Sequence, residues 1–339
     1  MGPRRSRQSF AGLALILLSF VLVSCAGAAP APSAEVEPIR VCYSSLTATQ
    51  IPLLYAYEQG LFGAEGLEVE LHYFESGTTA ATAMIADEIE VCQIAGSAIV
   101  NAAVAGEDLV FLAGLFNTYV YSVLVTPDIT SPEQLVGRAM AVSRIGSSSD
   151  AALRIALLSM GLTPDVDVAI LAIGGQSARV AAMETGEIAG TVASIPESTR
   201  AQQAGLVELL DMSTLNAPFQ HTAIATSRDF VTNRRSTAVA FMRAMLAAIE
   251  SMKQDRQATI QVMADYLSLD LEADAELLAA AYDDLIPAYL ADVPYPTLDG
   301  IQTLLDQLEA ENPAAADYAP EDMVDTSVLE EAAEATPGG

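Results

Sequence analysis

The chain is poor in the residues that carry metal and nucleophilic chemistry. Its 339 residues include two histidines, three cysteines and no tryptophan. The zinc-type motifs HExxH and CxxC are absent, and so is a His-x-Glu pair, which leaves transition metals few ligands. The phosphate-binding patterns GxxxxGKS/T and GxGxxG are absent as well, so nucleotide hydrolysis has no support. We expect no metal, no cofactor, no catalytic residue and no enzyme activity.

Basic residues are also scarce. Lysine and arginine total 15 against 44 aspartates and glutamates, which gives a net charge of −29. Nucleic acid and anionic lipid headgroups are poor partners for such a chain, and we expect no nucleic-acid partner. The net charge does not decide the charge of a small ligand, because a local cluster of residues can oppose it.

The first 25 residues have the layout of a bacterial lipoprotein signal. Three arginines precede the apolar run Leu13–Val23, which ends in Ser24-Cys25. Cleavage before Cys25 would leave that cysteine to carry the lipid, a palmitate-type acyl group. A transmembrane helix is the alternative, but it needs about 20 apolar residues. We predict a signal peptide over 1–24, a flexible tether over 25–38, and a protein held on the extracytoplasmic side of the cell membrane through Cys25.

The rest of the chain reads as repeated strand–loop–helix units. This alternation predicts parallel sheets with right-handed crossovers. The pattern restarts near residue 120, and a return crossing falls near 218–226. We predict an α/β fold of two lobes joined by a hinge: 39–119 with 220–329 as lobe I, and 120–219 as lobe II. The acidic segment 330–339 is predicted to be a disordered tail.

Two cysteines remain after the lipid site. Cys42 and Cys92 each lie inside a predicted buried strand. If those strands are neighbours, the thiols could pair in an oxidising compartment. Two buried free thiols are an equally good interpretation.

Polar loops follow several predicted strands. Three of them share a design, namely 76–78, 146–149 and 174–177, which are rich in Ser, Thr and Gly. Ligands bind off the carboxyl ends of strands in parallel sheets, where free N–H groups at helix starts hold polar or anionic groups. Ordinary helix capping explains any one loop, but three in matching positions favour a binding site.

Aromatic residues and arginines near these loops point to different ligands. A cleft with several rings at its lips suits a flat heterocycle, and core or hinge packing is the alternative; the candidate rings are Tyr43, Phe74, Phe116, Tyr119, Tyr121, Phe219 and His221. Arg144 and Arg179 are the basic residues close to the loops of lobe II. A small anion is favoured if either of them points into the cleft.

The body of the chain resembles the solute-binding proteins for sulfonate, nitrate, taurine and the thiamine pyrimidine. The stretch IRVCYSSLTATQIPLLYAYEQGLFGAEGLEVEL starts at Ile39, and the later phrases SGTTAATAMIADEIEVCQIAGSA and METGEIAGTVASIP follow in the same order as in that family. The resemblance implies a type II periplasmic-binding-protein fold that closes on a small-molecule ligand and delivers it to an ABC permease. It places ligand contacts at Ser45, Thr47, Ser76, Gly77, Gly96, Ser97, Tyr119, Ser147, Ser148, Gln176 and Glu197.

Within this family we expect a monomeric, lipid-anchored importer component. A flat aromatic vitamin is the favoured ligand, riboflavin first and the thiamine pyrimidine precursor next. A sulfonate or nitrate binder is the alternative, and an exported enzyme acting on a heterocycle is the alternative of another class. The pyrimidine synthase that shares this fold has a cysteine-rich motif and an active-site histidine, and this chain has no such cluster. Replacing Tyr119 with Ala is expected to weaken binding and leave the fold intact.

Overall fold

The computed structural model describes residues 37–335. The predicted signal peptide, the lipid site Cys25 and nearly all of the predicted tether lie outside them. Among the described residues, no helix combines the length and the apolar character needed to cross a membrane. The first strand begins at Glu37, which pairs with Leu67, so the folded body begins two residues before the predicted Ile39.

Ten strands form two five-stranded sheets in the described part of the chain. They are β1 (Glu37–Ser44), β2 (Leu67–Phe74), β3 (Val91–Ala95), β4 (Leu109–Phe116), β5 (Ser122–Val125), β6 (Ala139–Val142), β7 (Ala169–Ala172), β8 (Gly190–Ala193), β9 (Val207–Asp211) and β10 (Thr222–Ser227). The first sheet has the order β2-β1-β3-β10-β4 and the second β7-β6-β8-β5-β9. Each sheet is the centre of one lobe, so the two-lobe α/β architecture is confirmed.

Both sheets contain one antiparallel strand, and the prediction of parallel sheets is wrong for these two strands. Strand β10 runs antiparallel to β3 and β4, and β5 runs antiparallel to β8 and β9. Each of these strands arrives from the other lobe, through the connections 117–121 and 212–221. The parallel strands of each sheet run toward the other lobe. A strand that enters from that lobe starts at the same edge and therefore runs in the opposite direction. The lobe boundaries predicted at 119/120 and 219/220 stay predictions.

Helices cover the faces of the sheets. They are α1 (Ile51–Glu58), α2 (Leu61–Ala64), α3 (Gly77–Ile85), α4 (Gly96–Val104), α5 (Ser148–Ser159), α6 (Gln176–Glu184), α7 (Glu197–Gln203), α8 (Arg228–Asn233), α9 (Arg235–Gln254), α10 (Arg256–Leu267), α11 (Ala275–Tyr289), α12 (Leu298–Glu309) and α13 (Ser327–Glu334). Alternate residues of β1 bury against opposite layers: Val41 belongs to the core under α1 and α9, and Cys42 to the core under α3 and α4. That second core continues through the hinge into lobe II.

Two open points of the sequence are resolved by the packing. Cys42 and Cys92 are register partners on adjacent strands β1 and β3 and form a disulfide, with Cα atoms 4.4 Å apart. Helix α13 reaches Glu334, so the disordered tail predicted from Glu330 is wrong for 330–334. Its apolar side explains the error, because Val328, Leu329 and Ala332 are fully buried.

Candidate ligand-binding site

A small cavity lies where the two sheets face each other. Its volume is about 40 Å³, and one water molecule needs roughly 10–15 Å³ of such space. The carboxyl ends of the parallel strands lead into it, as expected for this type of sheet. The lining residues are Ser44, Ser45, Thr47, Gln50, Glu75, Ser76, Gly77, Ala95, Tyr121, Ser143, Ser147, Ser148, Ser149, Gly175, Gln176, Arg179, His221 and Thr222.

Direct contacts between the lobes surround this cavity. The Thr78 hydroxyl donates to the Ile145 carbonyl at 3.2 Å. Ser97 and Asn101 both donate to the Gly146 carbonyl at 3.2 Å. The structure therefore shows the lobes closed on each other, which accounts for the small volume of the cavity.

The helix starts at the cavity follow from the Ser-rich loops. The Ser76 side chain caps α3 by accepting from the Thr79 N–H at 3.2 Å. Ser147 caps α5 by accepting from the Asp150 N–H at 3.4 Å. Two of the three loops thus do act as caps, and the N-terminal ends of α3, α5 and α6 face a common space. Helix N-termini favour a negatively charged group there.

Arg179 is the cation of this site. Its side chain is 1% exposed and donates to the Thr191 hydroxyl at 2.8 Å and to the carbonyls of Gly174 and Val192 at 2.9 and 3.0 Å. A guanidinium has five N–H donors, so two remain. No carboxylate of the described residues lies within ion-pair distance of it.

Burial is the main electrostatic effect on the two bases of the site. It lowers the pKa of Arg179 to about 10, although the charges of Tyr121 and Glu197 act to raise that pKa. It lowers the pKa of His221 to about 3, so this imidazole is neutral at ordinary pH. Burial also raises the pKa of Tyr121, an effect partly offset by the Ser148 hydroxyl and the Arg179 charge beside the phenol. The site thus carries one buried positive charge.

Two lining groups have no hydrogen-bond partner among the described residues. They are the side-chain amide oxygen of Gln50 and the Thr222 hydroxyl, both buried at the cavity. An unsatisfied buried polar atom costs about 1–3 kcal/mol. These atoms are therefore ready to bind a polar ligand.

Most of the predicted contact residues are brought together by the fold. The cavity wall includes Ser45, Thr47, Ser76, Gly77, Ser147, Ser148 and Gln176. The amide of Gln176 is partly committed, because its oxygen accepts from the Ser194 N–H at 2.6 Å.

Four predicted residues lie outside the wall. Gly96 packs against the Gln220 backbone, where a Cβ atom would come within 2.2 Å of the carbonyl oxygen. Ser97 serves a contact between the lobes. Tyr119 is 1% exposed and stacks on Phe219 at 4.3 Å, so its truncation would damage the hinge core. Half-buried Glu197 begins α7 and acts on Arg179 through its charge.

The expected rim of aromatic rings is mostly wrong. Only Tyr121 and His221 among the named rings border the cavity, while Phe116 and Phe219 are fully buried in the core. Of the two arginines, Arg179 borders the cavity, while Arg144 is exposed and lies outside its wall. His221, predicted at the cleft beside the return crossing, does border the cavity.

Solved structures share this fold. The alkanesulfonate-binding protein SsuA from Xanthomonas axonopodis pv. citri, bound to MOPS, superposes with a TM-score of 0.73 at 18% identity, over 86% of this chain and 99% of that one. The aliphatic sulphonate-binding protein SsuA from Escherichia coli gives 0.66 at 19% identity, over 85% and 91%. The nitrate-binding protein NrtA from Synechocystis PCC 6803 gives 0.67 at 14% identity, over 90% of each chain. These likenesses confirm the periplasmic-binding-protein fold.

Comparison of the sequence itself gives one family match. No curated protein matches the chain. The model of the NMT1-like family matches residues 32–268, more than two thirds of the sequence. The chain therefore belongs to the NMT1-like family.

Proposed function

We propose that this protein is the substrate-binding component of an ABC importer and that its ligand is a small monoanion of the sulfonate or nitrate type. The observation that carries the proposal is Arg179, a buried guanidinium at the cavity with no carboxylate within ion-pair distance among the described residues. An uncompensated buried charge is costly. An anion held by the two remaining N–H donors, the nearby hydroxyls and the helix N-termini would offset that cost.

The proteins of similar structure support the choice of ligand class. Two of those named above bind sulfonates and one binds nitrate. A sulfonate group and a nitrate ion each carry one negative charge, which suits a site with a single buried cation. The lipid anchor at Cys25 and the extracytoplasmic location belong to the same proposal, because capture outside the cell is what an importer component requires.

The volume of the cavity and the rings in its wall disfavour a flat aromatic vitamin as the ligand. The closed cavity of about 40 Å³ would have to open much further for a flavin than for a small anion, since drug-sized ligand sites span about 300–1,000 Å³. Two rings at the wall, one of them edge-on to the other at 5.0 Å, leave no pair of faces between which a riboflavin ring would stack. We therefore place the small anion ahead of riboflavin and the thiamine pyrimidine.

An enzyme of this fold would need an activated nucleophile. Ser148 lies 3.0 Å from the His221 ring, a distance within reach of a nucleophile–base pair. The imidazole pKa of about 3 makes it a weak base, since efficient general bases have a pKa near the operating pH. Binding without turnover is the function we propose.

Titration calorimetry of the mature protein tests the proposal. Methanesulfonate and nitrate are expected to bind with dissociation constants in the micromolar range or below, equivalent to about −8 kcal/mol. Riboflavin and the hydroxymethylpyrimidine are expected to give no heat. Binding of riboflavin in place of both anions would overturn the proposal, and chemical conversion of a bound compound would overturn the non-enzymatic function.

Arg179→Gln is the decisive variant, with Arg144→Gln as its matched control. Loss of a charge-assisted contact worth about 1.5–3 kcal/mol predicts methanesulfonate binding weaker by roughly 10–150-fold. The exposed Arg144 does not line the cavity, so its variant is expected to bind like the wild type. Circular dichroism checks that both variants fold, and equal affinities in the two folded variants would contradict the role of Arg179.

A further inference from the structure

A continuous chain of hydrogen bonds crosses from one lobe to the other through His221. On the lobe I side, the Ser45 and Thr47 hydroxyls are 3.3 Å apart, and the Thr47 and Thr49 hydroxyls 2.9 Å. The Thr49 hydroxyl lies 3.4 Å from His221 Nε2, and His221 Nδ1 lies 3.0 Å from the hydroxyl of Ser148. Ser45 and Ser148, the two ends of the chain, both border the cavity.

The tautomer of the neutral imidazole fixes the direction of this chain of hydrogen bonds. A neutral imidazole has one N–H donor and one acceptor nitrogen, and each hydroxyl has one proton. If the proton is on Nδ1, the ring donates to Ser148, whose own proton is then directed to the cavity wall, where the Tyr121 phenol is its protein neighbour. Thr49 then donates to Nε2, and the hydroxyls of Thr47 and Ser45 follow in the same direction, so Ser45 is left with acceptor lone pairs.

The other tautomer reverses every bond. With the proton on Nε2, Ser148 donates to Nδ1 and offers only lone pairs to the cavity, while Ser45 becomes the donor. A doubly protonated ring is disfavoured, because His221 is 3% exposed and its burial lowers the imidazole pKa. The chain of hydrogen bonds can therefore offer a hydrogen-bond donor to the cavity at one end only.

The charges around the cavity differ between the two ends. At the Ser148 end lie the Arg179 guanidinium, the Tyr121 phenol and the N-terminus of α5. At the other end, the Ser45 N–H donates to the Phe74 carbonyl at 2.9 Å, and no cation of the described residues borders the cavity there. The exposed carboxylate of Glu75 reaches across the cavity toward Gly174. An anion is therefore attracted to the end that holds Arg179 and the N-terminus of α5.

We propose that His221 is a positioning residue that sets this polarity: with an anion in the cavity its proton is on Nδ1, and the Ser148 hydroxyl donates to the anion. The inference rests on the proposed anion-binding function. It also makes the Ser45 end a hydrogen-bond acceptor, so the site favours ligands whose anionic group lies toward lobe II and whose hydrogen-bond donor lies toward lobe I.

Nitrogen-15 NMR of the histidine side chains tests the proposal directly. The chain has two histidines, and a His72→Gln variant assigns the His221 signals. Spectra are recorded with and without saturating methanesulfonate, while calorimetry on the same sample measures binding. The expected spectrum of the complex shows a protonated Nδ1 and an unprotonated Nε2.

The outcomes separate the two proposals. Binding of methanesulfonate with the proton on Nε2, or on both nitrogens, overturns the positioning role and leaves the anion function standing. Absence of methanesulfonate binding overturns the proposed function and this inference with it.

Three variants add a readout that a merely structural histidine would not give. His221→Asn keeps an N–H donor near the Nδ1 position and is expected to bind methanesulfonate better than His221→Phe by about tenfold. Ser148→Ala removes the acceptor of the Nδ1 proton and is expected to shift the tautomer, whereas Ser143→Ala, in the same wall but not bonded to the ring, is expected to keep it. Equal affinity of the Asn and Phe variants would contradict the proposal.

Discussion

Two buried bases at the cavity respond differently to the same environment. Arg179 stays charged, because a guanidinium pKa of about 10 is still above any physiological pH. His221 loses its charge, because an imidazole starts from a much lower pKa. The site therefore combines one permanent cation with one neutral ring that both donates and accepts hydrogen bonds.

This neutral ring predicts how the fold responds to acid. The pKa of His221 falls from its ordinary value of 6.5 to about 3 on folding, so below pH 6.5 the unfolded chain binds a proton that the native ring refuses. The free energy of unfolding should then decrease by up to about 1.4 kcal/mol per pH unit between pH 6.5 and 3, and be unaffected by this group above pH 6.5. Urea denaturation between pH 7 and 4 measures the slope. His221→Gln should show a shallower slope, and equal slopes would contradict the assignment.

Sequence reasoning found the hydroxyls of the site better than its charges and rings. Ser45, Ser76, Ser147 and Ser148 follow strand ends, and that local position is enough to predict where they lie. The places of Arg179 and Tyr119 depend on which neighbours fill the space around them, which spacing along the chain does not reveal. His221 reaches the cavity only because the chain returns from lobe II at that point.

At the scale of elements, the disulfide joins the two strands that lead into the cavity from lobe I. Cys42 is two residues before Ser44, and Cys92 is three residues before Ala95, both of which line the cavity. Strand pairing at this register could not be predicted from the sequence, since either paired or free thiols fitted two buried strands. The antiparallel β5 and β10 were missed for a similar reason, because direction depends on which lobe the chain comes from.

We expect the disulfide to stabilise the fold. It joins residues that are 50 positions apart, and removing a native disulfide of this kind typically costs about 2–5 kcal/mol. A Cys42→Ala/Cys92→Ala double variant should unfold at lower urea concentration than the wild type. Addition of a reducing agent to that variant should change nothing further, and an unchanged midpoint in the variant itself would contradict the prediction.

At the scale of the whole molecule, the charge opposes the proposed ligand. The chain carries −29 overall, while the cavity holds one buried cation. Long-range repulsion should slow the approach of an anion, although the short-range contacts favour its binding.

Salt should therefore speed up association. Screening shortens the reach of the surface charge from about 30 Å at 0.01 M to about 8 Å at 0.15 M, so the association rate of methanesulfonate should rise over this range. Stopped-flow tyrosine fluorescence is suited to the measurement, because the chain has 11 tyrosines and no tryptophan. Competition by the anion of the added salt acts in the opposite direction and cannot produce the rise. A rate that falls in a salt whose anion gives no binding by calorimetry would contradict the prediction.

The pairing of Phe116 with Thr222 has a consequence for how such molecules diversify. The chain leaves lobe I after Phe116 and re-enters it at Thr222, and these residues sit side by side on adjacent strands. The intervening 105 residues are thus an insertion whose two ends lie side by side in the sheet of lobe I. Exchanging it between relatives would need only two junctions a few ångströms apart, so one half of the pocket can be replaced while the other keeps its frame.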